Sequence, residues 1–310
     1  MSRAARRKKK RVWPWIVGGI GLVLLAVIVY GVMIYLNLTK TAKNMHEPID
    51  REVSEMRVQP VAFKDKEPFS MLVLGVDERD GDKGRSDTLI VLTVNPETNS
   101  TKMVSIPRDT YTEIVGKDIK DKINHAYAFG GIEMALATVE NFLDIPIDYV
   151  MQVNMESFKD IVDAVGGITV NNALDFNVGS YTFPKGTIEL NGDKALDFVR
   201  MRKQDPRGDF GRQDRQKQVL QGVIREGASV NSLLNYKDIF GAIGNNVRTN
   251  MTFDEMVEVQ KNYRAAAGKV DQLYIEKGTG ETINKIWYYM MNDAELQSIQ
   301  DELKEHLELK

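Results

Sequence analysis

The sequence predicts an α/β fold: a single extracytoplasmic domain with a mixed central sheet flanked by helices, preceded by one N-terminal transmembrane helix. Three observations predict it. From Ser70 onward, short wholly apolar runs alternate with segments of helical period, the pattern of a layered sheet covered on both faces. An uncharged run from Val12 to Thr39 follows seven cationic residues among the first eleven. Cys is absent, which removes a disulfide framework, thiolate metal sites and a cysteine nucleophile.

The N-terminal run comes first. Its apolar part, Trp15 to Leu36, would be about 33 Å long as a helix, enough to span a bilayer. Trp13 and Trp15 at one end, and Tyr30 and Tyr35 towards the other, suit the two interfaces. A cleavable signal peptide has a shorter apolar core and a small-x-small site. This run continues into Asn37-Leu38-Thr39-Lys40, which favours an uncleaved anchor. Arg3, Arg6, Arg7, Lys8, Lys9, Lys10 and Arg11 keep the tail cytoplasmic by the positive-inside bias, so the remainder lies outside the cell membrane. An exported chain without disulfides suits a Gram-positive bacterium, which has no oxidising periplasm. The expected division is a basic tail at 1–11, the anchor at 12–36, a linker at 37–68 and the extracytoplasmic domain at 69–310. The linker is rich in Lys, Glu and Asp, with Pro48, Pro60 and Pro68, and reads as a helical or irregular spacer that lifts the domain off the membrane.

Within the domain, Met71–Val76 is a continuous apolar run, suited to a strand buried on both faces. Thr88–Val94 and Met103–Ile106 read the same way, and Asn95-Pro96-Glu97-Thr98-Asn99 between them predicts a hairpin turn. Gly131–Asp144 has helical spacing of its apolar residues, and Tyr149–Val153 is another strand. Phe158, Ile161, Val162 and Val165 give a helix closed by Gly166-Gly167, followed by a strand at Ile168–Val170. Further helices are expected at Gly192–Val199, Gln213–Gly227, Tyr236–Val247, Thr252–Ala267 and Asp293–Leu307, with a strand at Val270–Ile275.

Charge is distributed unevenly. The chain carries −3, its first eleven residues +7, and the rest therefore −10. Between Arg200 and Lys217, seven Lys or Arg stand against three Asp. Arginines clustered in an acidic body point to an anionic target, since guanidinium forks suit phosphate oxygens; a solvated helix face is the plainer alternative. Arg200 and Arg202 point the same way if the chain is extended after the preceding helix. Asp209 could cap the next helix. Arg212 and Gln216 are four apart on one face of that helix, with Arg212 in the first turn, where the dipole and free N–H groups favour an anion.

Two other constellations fall at strand ends. Asp77 and Asp87 lie at the end of one buried strand and the start of the next, in the crevice where α/β sheets bind ligands. Two carboxylates there could hold one Mg²⁺ (or Mn²⁺) with water and phosphate oxygens, or could merely cap a turn and start a strand. Arg108, in Ser105-Ile106-Pro107-Arg108-Asp109, falls just past a strand end near the same crevice; a surface ion pair with Asp109 is the plainer alternative. His46, His125 and His306 show no metal-ligand spacing. Trp287-Tyr288-Tyr289 could touch glycan or lipid but suits core packing better.

Taken in order, Leu74-Gly75-Val76-Asp77, Gly84-Arg85-Ser86-Asp87-Thr88, Ser105-Ile106-Pro107-Arg108-Asp109, Asp121-Lys122-Ile123-Asn124-His125-Ala126-Tyr127, Ile145-Pro146-Ile147-Asp148-Tyr149, Val165-Gly166-Gly167-Ile168, Ala195–Arg202 and Gly208–Gln216 resemble the LytR–CpsA–Psr family of cell-wall-polymer ligases. The resemblance is close from Phe69 to Ala228 and looser beyond. It implies transfer of an anionic glycopolymer, wall teichoic acid or a relative, from an undecaprenyl-pyrophosphate carrier to peptidoglycan through a phosphodiester, on the 6-hydroxyl of N-acetylmuramic acid. It implies that Asp77 and Asp87 are associated with Mg²⁺. Arg79, Arg85, Arg108, Arg200, Arg202, Arg212 and Gln216 become pyrophosphate ligands, and Asp209 a further polar residue of the site. It also implies a deep apolar pocket for the polyprenyl tail between sheet and helices.

The expected chemistry is phosphoryl transfer, in which the protein supplies position and charge stabilisation. Asp77, Arg108, Arg200 and Arg202 are the expected catalytic residues, with Asp77 ahead of Asp209 as general base. A hydrolase of polyprenyl pyrophosphate could use the same site, and a non-catalytic polymer-binding regulator could use the same arginines. Nucleic acid is not an expected partner, because the cluster lies outside the membrane and the body is acidic.

Overall fold

The structure is a computed structural model that describes residues 32–33, 35–37, 39–49, 51, 53–76, 84, 86–154, 158–227 and 247–309. The strands and helices follow in chain order as β1 (Phe69–Val76), β2 (Ser86–Asn95), β3 (Ser100–Ile106), β4 (Tyr111–Ile114), β5 (Ile119–Lys122), α1 (His125–Leu143), β6 (Tyr149–Asn154), α2 (Phe158–Ala164), β7 (Ile168–Asn172), β8 (Phe176–Val178), β9 (Tyr181–Phe183), β10 (Gly186–Leu190), α3 (Gly192–Arg200), α4 (Asp209–Gly227), β11 (Val247–Thr249), α5 (Phe253–Asn262), β12 (Val270–Leu273), β13 (Thr279–Ile283), β14 (Ile286–Met290) and α6 (Asp293–His306).

Six strands form a mixed sheet in the order β11-β6-β1-β2-β3-β12. β1 pairs antiparallel with β2, and β2 antiparallel with β3. β6 runs parallel to β1, and β12 parallel to β3. The apolar runs explain themselves by the two-residue period of a strand. Leu72, Leu74, Leu89, Val91, Val104 and Ile106 face a core with Leu136 and Val139 of α1 and Leu303 of α6. Phe69, Met71, Val73, Ile90, Leu92 and Met103 face the other way, towards Leu220 of α4 and Met256 of α5. A third core lies among Val162, Ile168, Phe183, Phe198 and Val219.

The hairpin turns where expected, with Asn95 paired to Ser100 and Asn99 in the left-handed region at φ 49°. Several elements differ from expectation. α1 begins at His125 and bends at Gly130 and Gly131, the latter at φ 69°, so the helical period is readable only after the bend. α4 begins at Asp209, four residues earlier than expected. α5 stops at Asn262 and a 3-10 turn at Arg264–Gly268 replaces its last turn. β12 ends at Leu273. The helix expected at Tyr236–Val247 lies outside the described residues except for Val247, which opens β11.

The tail at 1–11 and most of the expected anchor also lie outside the described residues. Among the described residues no helix is long and apolar enough to cross a membrane.

Residues 39–68 are packed onto the body. In the helical stretch 39–45, Met45 packs with Ile161 and Val247, and His46 bridges Thr249 of β11. Arg51 donates to both Glu140 oxygens, at 2.5 and 3.0 Å, and to the Ile147 carbonyl. Arg57 donates to both Asp148 oxygens, at 2.5 and 2.9 Å. Phe63 packs against the rings of Phe69, Tyr149 and Tyr263.

Candidate functional site

Because β1, β3, β6 and β12 run the same way, their C-terminal ends share one edge, and β2 starts there. Leu89 pairs with Ile106 across β2 and β3, so Asp87 and Arg108 meet two residues further out, on the same face. Arg108 Nη1 lies 2.6 Å from Asp87 Oδ1, and its Nε is 3.6 Å from Asp109 Oδ2. Lys122 of β5 takes the other Asp109 oxygen at 2.6 Å. The surface pair with Asp109 is therefore real, but Asp87 is the shorter contact.

α4 brings the second half. Gly208 at φ 59° turns the chain into the helix, placing Asp209 in the first turn rather than ahead of it. Asp209 Oδ1 is 2.7 Å from Arg212 Nη2 and 3.9 Å from Arg202 Nε, and its Oδ2 accepts from Gln213. Gln216 is buried one turn beyond Arg212. Met201 is extended and buried between Arg200 and Arg202, which are both exposed, as expected of residues two apart.

The electrostatics join the halves. Burial opposes the charge on Arg108, yet Asp87, with Asp109 and Asp209, holds its pKa above the ordinary arginine value. Arg212 goes the other way: burial lowers it, Asp209 resists, and the charges of Arg108 and Arg202 add to the lowering. Arg108 Nε and Arg212 Nε are both out of water without a hydrogen-bond partner among the described residues. Asp209 Oδ1 is also out of water without a hydrogen-bond partner among these residues, so the cluster gathers unpaired donors and an unpaired acceptor, and buried polar groups left unpaired are costly.

The window from Arg200 to Lys217 thus divides. Arg202 and Arg212 gather at Asp209, while Arg200 is exposed at the end of α3. Arg215 points inward, pairs with Asp205 at 2.6 Å and donates to the carbonyls of Phe198 and Met201. Gly211 makes room for that pair, since a Cβ there would overlap the Asp205 carboxylate. Arg207 and Lys217 both pair with Asp214, and Lys217 lies 3.9 Å from the centre of the Tyr274 ring. Sequence reasoning missed Lys122 and Asp205; the carboxylates and cations spaced around the motifs were the available signal.

Asp77, Arg79 and Arg85 lie outside the described residues. The fit of a divalent cation therefore turns on Asp87, whose side chain is 37% exposed and contacts Arg108 through one oxygen. Mg²⁺ is commonly held by one or two carboxylates together with water and phosphate oxygens, and the half-exposed Asp87 can supply one such carboxylate. Among the described residues no three acids or histidines converge. On the α1 and α6 face of the sheet the core is closed, with Leu72, Leu74, Val76, Leu136 and Val139 at most 1% exposed. A cleft of about 300 Å³ opens at the bend of α1, lined by Tyr127, Gly130, Gly131 and Gln152 among others.

Comparison with known proteins follows the same lines. The model of the LytR_cpsA_psr family matches residues 32–305. A protein of Bacillus subtilis named polyisoprenyl-teichoic acid–peptidoglycan teichoic acid transferase TagU is 53% identical over 308 residues, 99% of this chain and 100% of that one. A solved structure from Enterococcus faecalis, described as a transcriptional regulator, is 41% identical with a TM-score of 0.74, covering 81% of this chain and 91% of that one. The structure of TagT bound to LIIa-WTA is 30% identical with a TM-score of 0.73, covering 85% and 100%.

Proposed function

The chain belongs to the LytR_cpsA_psr family, and on that footing we propose that it is a transferase that moves teichoic acid or a related anionic glycopolymer from an undecaprenyl-pyrophosphate carrier to peptidoglycan. The observation that carries this reading is the meeting of Arg108, from a strand end, with Arg212, from a helix start, near enough that the charge of Arg108 acts on Arg212. A diphosphate is an anion of the right charge and has oxygens enough to occupy both. The name of the TagU relative and the LIIa-WTA ligand bound to TagT support the polymer class.

In this reading Arg108, Arg202 and Arg212 hold the donor diphosphate, with Arg200 and Gln216 at its rim and Arg79 and Arg85 completing the shell. The acceptor hydroxyl forms the new P–O bond at the phosphorus attached to the polymer sugar. The P–O–P bond breaks and undecaprenyl phosphate leaves. The hydroxyl proton passes to Asp77, the better base, since Asp209 is committed to Arg212 and Gln213. Asp77 and Asp87 would hold Mg²⁺ (or Mn²⁺), which when bound supplies further charge neutralisation to the phosphates. The chain sits in the cell membrane by its anchor at 12–36, tail inside and domain outside. A nucleic-acid-binding regulator, which would suit the name given to the E. faecalis protein, is opposed by the body's charge of −10.

The test uses the full chain with a lipid-linked donor and peptidoglycan. Arg212→Ala should cut transfer about 100-fold, whereas Arg225→Ala at the far end of α4 should leave it intact; chelation of divalent cations should also stop transfer. Near-normal transfer by Arg212→Ala would refute the clamp. Release of carrier phosphate at the same rate without acceptor would favour the hydrolase.

A further inference from the structure

The β13–β14 hairpin projects from the body, and its pairing sorts its side chains. Gly280 lies opposite Tyr289, Glu281 opposite Tyr288 and Thr282 opposite Trp287. Gly280, Thr282, Trp287 and Tyr289 therefore share one face, and Glu281 and Tyr288 the other. The second face is attached through Tyr288, which packs edge-on to Tyr111 at 4.9 Å and donates to Asp121. On the first face Tyr289 is buried, its ring 5.5 Å from Phe210, the neighbour of Asp209. Trp287, one step further out on that face, is 48% exposed.

The indole is exposed but not loose. It lies across Gly280, where a Cβ would come within 2.6 Å of Nε1 and 3.1 Å of Cε2 and Cζ2. The indole is thus seated against bare backbone while about half of the residue stays open to solvent. The hairpin is also tied to the site. The Tyr289 amide donates to the Asp109 carbonyl at 2.9 Å, and the buried Glu295 carboxylate accepts from the amides of Glu276 and Lys277 at its root.

We propose that Trp287 on its Gly280 seat is a stacking shelf for a sugar ring of the acceptor glycan. The inference rests on the transferase reading, in which a donor and an acceptor must meet at one phosphorus; the arginine cluster accounts for the first only. A fixed aromatic face turned to the side of Phe210, with the Thr282 hydroxyl beside it, offers the C–H face of a pyranose a flat contact and its hydroxyls a partner. A bilayer is the rival occupant of an exposed tryptophan. It is disfavoured by place: the chain leaves for its proposed anchor past β11, and the hairpin hangs from the β3–β12 edge. Five strand spacings, about 24 Å, separate those edges.

The sequence contains Trp13, Trp15 and Trp287 only, so the full chain with Trp13→Phe and Trp15→Phe reports on one indole. In phospholipid nanodiscs without donor, soluble uncrosslinked peptidoglycan glycan chains should change its emission saturably. An emission that ignores glycan, or that is quenched by brominated acyl chains, would overturn the shelf. In the transfer assay, Trp287→Ala should raise the acceptor KM about tenfold without changing the donor KM or the melting temperature. Trp287→Tyr should restore most of the loss, and Gly280→Val, which lifts the indole, should act in the same direction as Trp287→Ala. An unchanged acceptor KM in Trp287→Ala would overturn the shelf alone. Glycan binding at Trp287 by a chain that never transfers would keep the shelf and refute the transferase reading.

Discussion

Arg212 and Arg215 are three residues apart on α4, and burial gives them opposite duties. Arg212 keeps an unsatisfied nitrogen beside Asp209, while Arg215 commits its donors to Asp205 and to the carbonyls of Phe198 and Met201. The sequence shows the cluster and its sign but not this division, because which arginine turns inward depends on Asp205 and on the space at Gly211. Arg215→Met should cost about 3–5 kcal/mol by leaving a buried carboxylate unpaired, and adding Asp205→Leu should recover most of it. Chemical denaturation of the four proteins of the cycle would measure both. His306 makes a second prediction. Its ring nitrogens meet Thr93 Oγ1 at 2.8 Å and Ser100 Oγ at 2.9 Å, and burial, helped by Lys102, lowers its pKa from 6.5 to about 4. A histidine that resists protonation only when folded contributes fully above pH 6.5, and that contribution is lost progressively as pH falls towards 4. The melting temperature should fall over that window, and His306→Gln should flatten the fall.

At the scale of elements, legibility followed burial. β1, β2 and β3 are apolar on both faces, so their runs were unmistakable, and Gly166 and Gly167, both at positive φ, ended α2 where the sequence said. The short hairpins β4–β5, β8–β9 and β13–β14 were not legible. Their strands are three to five residues long, and two of them, β5 and β13, have no buried position, leaving too little alternation to read. They matter all the same, since β5 supplies Lys122 and β14 supplies Trp287. The start of α5 was read one residue early, at its cap Thr252. Thr252 and Glu255 form a reciprocal capping box, and Tyr149 donates to the same Glu255 at 2.7 Å. Thr252→Ala should therefore destabilise by about 1 kcal/mol, seen as a lower melting temperature, with transfer activity retained.

The whole molecule differs most from the sequence in the segment expected to be a spacer. Charge and proline suggested a stalk at 37–68, but the charges are used inward, Arg51 on Glu140 and Arg57 on Asp148. Composition cannot distinguish a solvated arginine from one whose carboxylate lies about ninety residues away in the chain. Because Asp148 also fixes Ser70 at the start of β1, Arg57→Ala should lower the stability of the entire body by about 3 kcal/mol. Calorimetry should show one shifted transition rather than early release of a separate segment.

That strap has a further consequence. On the proposed anchor at 12–36, almost no chain is left free between body and membrane, because the ring of Tyr35 already packs edge-on to Phe253 of α5 at 5.9 Å, and so short a tether would confine the domain to a thin shell above the lipid. Within that shell the local concentration of the site towards carriers moving in the same leaflet is raised, and wall beyond its radius is out of reach. Loosening the strap would exchange that concentration for range, so on the proposed anchor and activity Arg51 and Arg57 would help set how far into the envelope new polymer could be joined.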